Sequence, residues 1–515
     1  MAGLSKRLRY LFGTTRGLVL MATAWDALLV AVLSTLSGPL RDLGIAAALP
    51  LRLVEAEAVG RKIMLYHALA MPFAAAITYF ILELVPTSPW HVRTVRTTIT
   101  TGYMVSSLCG LAFAYLYRSW ILHGLFVAGL TLVFYAGVVL AHGLWPARHP
   151  NTDPAYAHWG RISLERVAFF TVAVLTLGSA ALGAGAAAYF GNGFEAFLAE
   201  DAIRAPHHTV AQLAIIGHLH IMLALIAVAI MLVVGRYVDF KGVLHAVAMP
   251  IAIVGSSIMA LACWSVTVWE GAHTAIYVGA SLVLPAALLL VIYAWTEVAR
   301  GAPPGRRLAA AVGDPLRFGM LFQQIYVNFV VTFPGMYVAF NLDEYFRVIP
   351  AEYERRFLSG HWHVLATLCA TIVLFLVADY LGQRGWIRRT LGWGVLLGAD
   401  LAFAFAVVYM FGPPGVDMTW TWWFIDVGLG TFLIVLAVFL GWRLVDLFRP
   451  RGEWYLHLSQ AGRAPQAAAA LAPGAGAPAQ AGSAPAPAAG TLTQAGSSPA
   501  PADRTVRAGG EADER

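Results

Sequence analysis

The chain has 515 residues, 59% hydrophobic and 12% charged, about half the charged fraction of a soluble globular protein. Its mean hydropathy of +0.69 and its recurrent apolar runs of about 20 residues describe a multi-pass membrane protein. The formal charge of +6 is scattered over short loops, which reads as a topology signal and excludes a nucleic-acid surface.

The start, "MAGLSKRLRYLFGTTRG", is basic and runs into a full-length span without a cleavage signature. Residues 1–16 therefore read as a cytoplasmic segment. Spans follow near 17–40, 61–86, 98–119, 121–145, 163–190, 209–234, 243–268, 273–297, 317–341, 357–381, 388–413 and 422–446. All are expected to be helices, because lipid cannot satisfy free backbone groups. The expected fold is an all-α, twelve-helix membrane domain over 17–446. A cytoplasmic tail covers 447–515; from about 463 it turns to Ala, Pro, Gly and Ser and is expected to be disordered.

Lys6, Arg7, Arg9 and Arg16 precede the first span, and Arg148, Arg236, Arg300, Arg388 and Arg449 fall on the same side. The opposite loops are acidic or mixed, as at Glu195, Glu200 and Asp201. This bias places both termini in the cytoplasm of a cell with an inner (plasma) membrane. Cys109, Cys263 and Cys369 lie apart inside apolar spans, and no CxxCH is present, so covalent c-type haem is not encoded. Asp26 and Asp400 fall near mid-membrane, where a carboxylate serves a proton path or a hydrogen bond between helices. Asn328 and the proline of "NFVVTFPGMYVAFN" read as packing features.

The histidines are more informative. His67 begins the second span, His218 and His220 lie in "IIGHLHIMLAL" of the sixth, and His361 and His363 in "SGHWHVLATL" of the tenth. The topology puts all five toward the outer face. His67, His220 and His363 are 153 and 143 residues apart, one histidine-bearing span in every four. Aligning Gly217 with Gly360 also pairs Leu225 with Leu368, Ala227 with Ala370, Tyr237 with Tyr380 and Gly242 with Gly385, which suggests an internal repeat of about four helices. Residues i and i+2 of a helix point about 200° apart, so His361 and His363 are expected to serve two sites on opposite sides of one helix. Neutral imidazole is a good haem ligand; the alternative is a hydrogen bond to a neighbouring helix. His245 begins the seventh span at the cytoplasmic end. His142 is also cytoplasmic; His91, His149, His158 and His457 read as loop residues; His123 and His273 sit at outer helix ends; and His207 and His208 precede the sixth span.

Twelve spans, cytoplasmic termini and "GHWHV" on the tenth span resemble the catalytic subunit I of the haem-copper oxidase superfamily, which includes nitric oxide reductases. The resemblance implies a haem-binding respiratory oxidoreductase subunit. In it, His67 and His363 would hold a low-spin haem and His361 a second, high-spin haem. His218 or His220 would reach a copper or non-haem iron. Its implied partners are membrane lipid, an electron-donor cytochrome or quinol, and further membrane subunits. The chain departs from the pattern at several points. The seventh span, "ALACWSVTVWEGAH", has no adjacent histidine pair; the sixth has no glutamate; and "GPPGVDMTWTW" has no paired arginines. Two other readings stand beside it: a b-type cytochrome that passes electrons without reducing a gas, and a twelve-span transporter without haem.

Overall fold

The structure is a computed structural model. It describes residues 2–36, 44–48, 60–151, 153–190, 209–341, 351–413, 415–450, 452, 454 and 455. The described residues are helical apart from loops and one two-stranded antiparallel turn, in which β1 (His158–Trp159) pairs with β2 (Ile162–Ser163). The helices are α1 (Ala2–Gly13), α2 (Thr15–Leu36), α3 (Ile45–Ala48), α4 (Gly60–Leu84), α5 (Pro89–Tyr115), α6 (Trp120–Gly143), α7 (Leu164–Phe190), α8 (Val210–Tyr237), α9 (Gly242–Ser265), α10 (Thr274–Arg300), α11 (Arg307–Gly313), α12 (Pro315–Val327), α13 (Phe333–Phe340), α14 (Ala351–Tyr380), α15 (Gly385–Met410) and α16 (Trp420–Phe448). Among the described residues, ten helices are long and apolar enough to cross a membrane. This is an all-α, multi-pass membrane protein in contact with lipid. The tail expected to be disordered from about 463 lies outside the described residues.

Two of the expected twelve spans differ from the ten. The expected span 98–119 is helical as α5, but it carries Arg93, Arg96 and a run of threonines that lower its hydropathy. Its hydroxyls are satisfied locally: Thr98 and Thr100 donate to the carbonyls of Thr94 and Arg96, at 2.8 and 2.6 Å, and Ser107 donates to the Ala68 carbonyl of α4 at 2.8 Å. The expected span 317–341 is broken. A π-helical turn, Asn328–Thr332, separates α12 from α13. Pro334 lacks an N–H and crowds the carbonyl four residues earlier, and the wide turn just before it absorbs that conflict.

Close glycine contacts recur at the repeat interval. Gly102, Gly255 and Gly398 sit on α5, α9 and α15 and abut Gly129, Gly279 and Gly428 on the next helices. A methyl group at any of the first three would come within 2.8–2.9 Å of the facing carbonyl. Small residues let helix backbones approach in lipid, where no hydrophobic drive between helices exists. Gly102, Gly255 and Gly398 are 153 and 143 residues apart, the intervals that also separate His67, His220 and His363. Packing glycines and histidines therefore recur at the same intervals along the chain.

The second helix of each unit (α4, α8, α14) runs in the same direction, and the C-terminal ends meet. Arg236 of α8 donates from Nε to the Leu84 carbonyl of α4 at 3.2 Å, and Tyr237 donates to Asp379 Oδ2 of α14 at 2.9 Å. Phe80 and Tyr380 meet edge-on at 5.2 Å. Asp379 also holds Arg388 at 2.6 Å and Arg317 at 3.2 Å, and Arg388 grips both oxygens of Asp314. This ionic knot fixes the common end of α8, α12, α14 and α15.

Candidate functional site

The tied ends set the depth of the histidines. His67, His220 and His363 each lie 17 residues before Leu84, Tyr237 and Tyr380, about 25 Å of helix. The five histidines of α4, α8 and α14 therefore share one level of the bundle. The register of α8 is fixed by its start: Thr209 and Gln212 form a reciprocal capping box, with bonds of 2.8 and 3.3 Å.

His67 and His218 face each other with planes 12° from parallel and ring centres 6.1 Å apart. That spacing is within the range of about 4.5–7 Å over which aromatic rings pair. Phe126 of α6 closes the edge of His67 at 6.4 Å. His218 Nδ1 lies 2.8 Å from the Ser179 carbonyl of α7. A carbonyl can only accept, so Nδ1 carries the proton and Nε2 keeps its lone pair, the tautomer of a typical metal-ligating histidine. His220 repeats this, donating from Nδ1 to the Ile216 carbonyl one turn earlier at 3.0 Å.

His361 and His363 do turn to different neighbours. His361 lies against Phe357, with ring centres 5.9 Å apart, and within electrostatic reach of His220. Its Nδ1 is buried without a hydrogen-bond partner among the described residues. Gly335 of α13 backs the ring so closely that a methyl group there would sit 2.6 Å from Cε1. His363 is exposed and faces α4, where its ring centre is 6.4 Å from that of Tyr66, the residue before His67. In repeat terms the pairs His67–His218 and His220–His361 occupy equivalent positions. The third such position falls between His363 and the Leu65–Tyr66 stretch, which has no histidine to match His218 and His361.

His245 takes the opposite tautomer. Its Nδ1 accepts the Ala157 N–H at 3.0 Å, which spends the lone pair, and the buried ring packs on Phe240 and Tyr156. His91, expected in a loop, is instead buried in the first turn of α5. There Arg148 donates to His142 Nε2, His142 Nδ1 donates to His91 Nε2 at 3.0 Å, and His91 Nδ1 donates to Ser88 Oγ. His207, His208 and His457 lie outside the described residues.

Several contributors carry no signal in the histidine pattern. Ser179 acts through its backbone carbonyl. Gly183 gives His218 room, since a methyl group there would sit 2.5 Å from Nδ1. The small-residue stretch "LGSAALGAGAAA" around both was the available hint. Among the described residues, no group of three or more His, Cys, Asp or Glu converges in a metal-holding arrangement. Of His218 and His220, expected as ligands of a second metal, His218 pairs with the ring of His67. Comparison with protein-family models, with curated proteins and with solved structures gave no match.

Proposed function

We propose that this chain is a haem-binding membrane subunit of a respiratory electron-transfer chain, with twelve spans and cytoplasmic termini. The observation that carries the reading is the parallel pair His67–His218, with Nδ1 of His218 committed to a backbone carbonyl and Nε2 therefore unprotonated. The donor set suits haem, which takes two neutral imidazoles. His67 and His218 would hold one group and His220 and His361 a second, while the resemblance to haem-copper oxidases gives His67 to His363 instead. Haem bound there would supply one-electron redox chemistry about 25 Å from the tied helix ends. The chain's own residues orient the imidazoles through Ser179 and Ile216 and crowd them with Gly183, Gly335 and Phe126.

Two readings of a haem protein are separated by ligand number. A histidine on both sides of each iron favours electron transfer without gas reduction; a single ligand on the second favours a terminal reductase. The equivalent positions of the two histidine pairs in the repeat support the former. Carbon monoxide binding to the reduced, purified protein tests this directly, since it needs an open coordination position. Absence of binding agrees with two six-coordinate haems, and stoichiometric binding overturns that form of the proposal.

A further inference from the structure

Asp400 lies on α15, about 22 Å of helix from Gly385 and about 15 Å from Met410, well inside the span. An ionised side chain at such depth is costly and is retained for a reason. Gln323 of α12 donates from Nε2 to Asp400 Oδ1. Gln323 is 0% exposed, yet its Oε1 has no hydrogen-bond partner among the described residues. An amide and a carboxyl group have matching forks, so an amide that donates to one carboxyl oxygen through the N–H on the side of its own carbonyl can set its oxygen against the other. A carboxylate has no proton to give to that oxygen; a carboxylic acid has one.

Among the described residues no cation pairs with Asp400. Tyr326, the titratable group beside it, directs its hydroxyl to the Asp400 backbone carbonyl at 3.4 Å. Arg317 and Arg388 are held at the far helix end by Asp314 and Asp379, and Asp426 of α16 is exposed. Gln324 Nε2 is also buried without a partner among the described residues. The π-helical turn begins four residues later at Asn328, whose side chain donates to the Ile325 carbonyl at 3.1 Å.

We propose that Asp400 is a proton-binding site: its Oδ2 carries a proton that Gln323 Oε1 accepts, closing a two-bond acid–amide ring between α12 and α15. Proton uptake from water cancels the carboxylate charge. Proton loss leaves acceptor facing acceptor, a repulsion relieved when Gln323 rotates its amide. Occupancy is thereby coupled to the side chain that precedes the broken part of the ninth span. This inference does not depend on haem.

The test is infrared spectroscopy of the purified full-length protein at neutral pH, as wild type minus Asp400→Asn. The expected difference holds the C=O stretch of a neutral carboxylic acid. That band survives Asp26→Asn and moves to higher frequency in Gln323→Leu, where the acceptor is gone. Should Asp400→Asn not fold, Asp400→Glu keeps the acid and is expected to retain a shifted band. A carboxylate stretch at neutral pH overturns the proposal. So does a carboxylate band that appears only with sodium, which would make the ligand a cation, or an acid band indifferent to Gln323→Leu.

Discussion

His67 and His218, 151 residues apart in sequence, present nearly parallel imidazoles 6.1 Å apart on neighbouring helices. If one iron lies between them, His67→Ala and His218→Ala lose the same haem absorption band, while His363→Ala keeps it. Visible spectra of variants that still insert and purify check this. Loss in His363→Ala with retention in His218→Ala would restore the pairing implied by the oxidase resemblance.

The crowding glycines give a test that removes no ligand. Gly183→Ala places a methyl group 2.5 Å from His218 Nδ1, and Gly335→Ala places one 2.6 Å from His361 Cε1. Each must push a ring aside, at about 1–3 kcal/mol of overpacking. The expected outcome is a spectral or potential shift in the His67 site for Gly183→Ala, and in the His361 site for Gly335→Ala. Redox titration of each variant separates the two.

The ionic knot at the opposite end is expected to matter for stability. Asp379 is 6% exposed and meets Arg388, Arg317 and the Tyr237 hydroxyl. Asp379→Ala leaves Arg388 on Asp314 alone and the Tyr237 hydroxyl without its acceptor, and should cost about 1–3 kcal/mol, read as a lower unfolding midpoint in detergent. Asp379→Asn, which keeps the hydrogen bond with Tyr237, is expected to lose less.

His91 adds a pH dependence outside the membrane-spanning segments. Burial, and then the neighbouring His142, Arg148, Arg166 and His149, hold its pKa below the usual value of 6.5. The unfolded chain therefore takes up this proton at higher pH than the native one. Stability from this site is complete above about pH 6.5 and declines as the pH falls toward the lower native pKa. The unfolding midpoint should drop on acidification through that window, and His91→Gln should flatten the drop.

The histidine level was legible in the sequence because a helix rises steadily: the count from Leu84, Tyr237 and Tyr380 to each histidine is the same. The opposed directions of His361 and His363 were legible too, since a two-residue step turns about 200°. Which rings meet was not, because it depends on how α4, α7 and α8 rotate about their axes, and Ser179 contributes only a backbone carbonyl. A proline kink was legible in "NFVVTFPGMYVAFN", but its form, a π-helical turn at Asn328–Thr332, escaped a reading of apolar length, which treats 317–341 as one run. His91, read as a loop residue, lies before the expected span 98–119, yet Pro89 opens the helix that buries it.

The central claim is that this histidine level holds haem. The decisive measurement is a reduced-minus-oxidised spectrum of the purified protein, with haem released and quantified as its pyridine complex. The expected result is a b- or a-type band with about two haems per chain, diminished in His67→Ala. Wild-type protein that is well folded, fully inserted and free of haem would contradict the account.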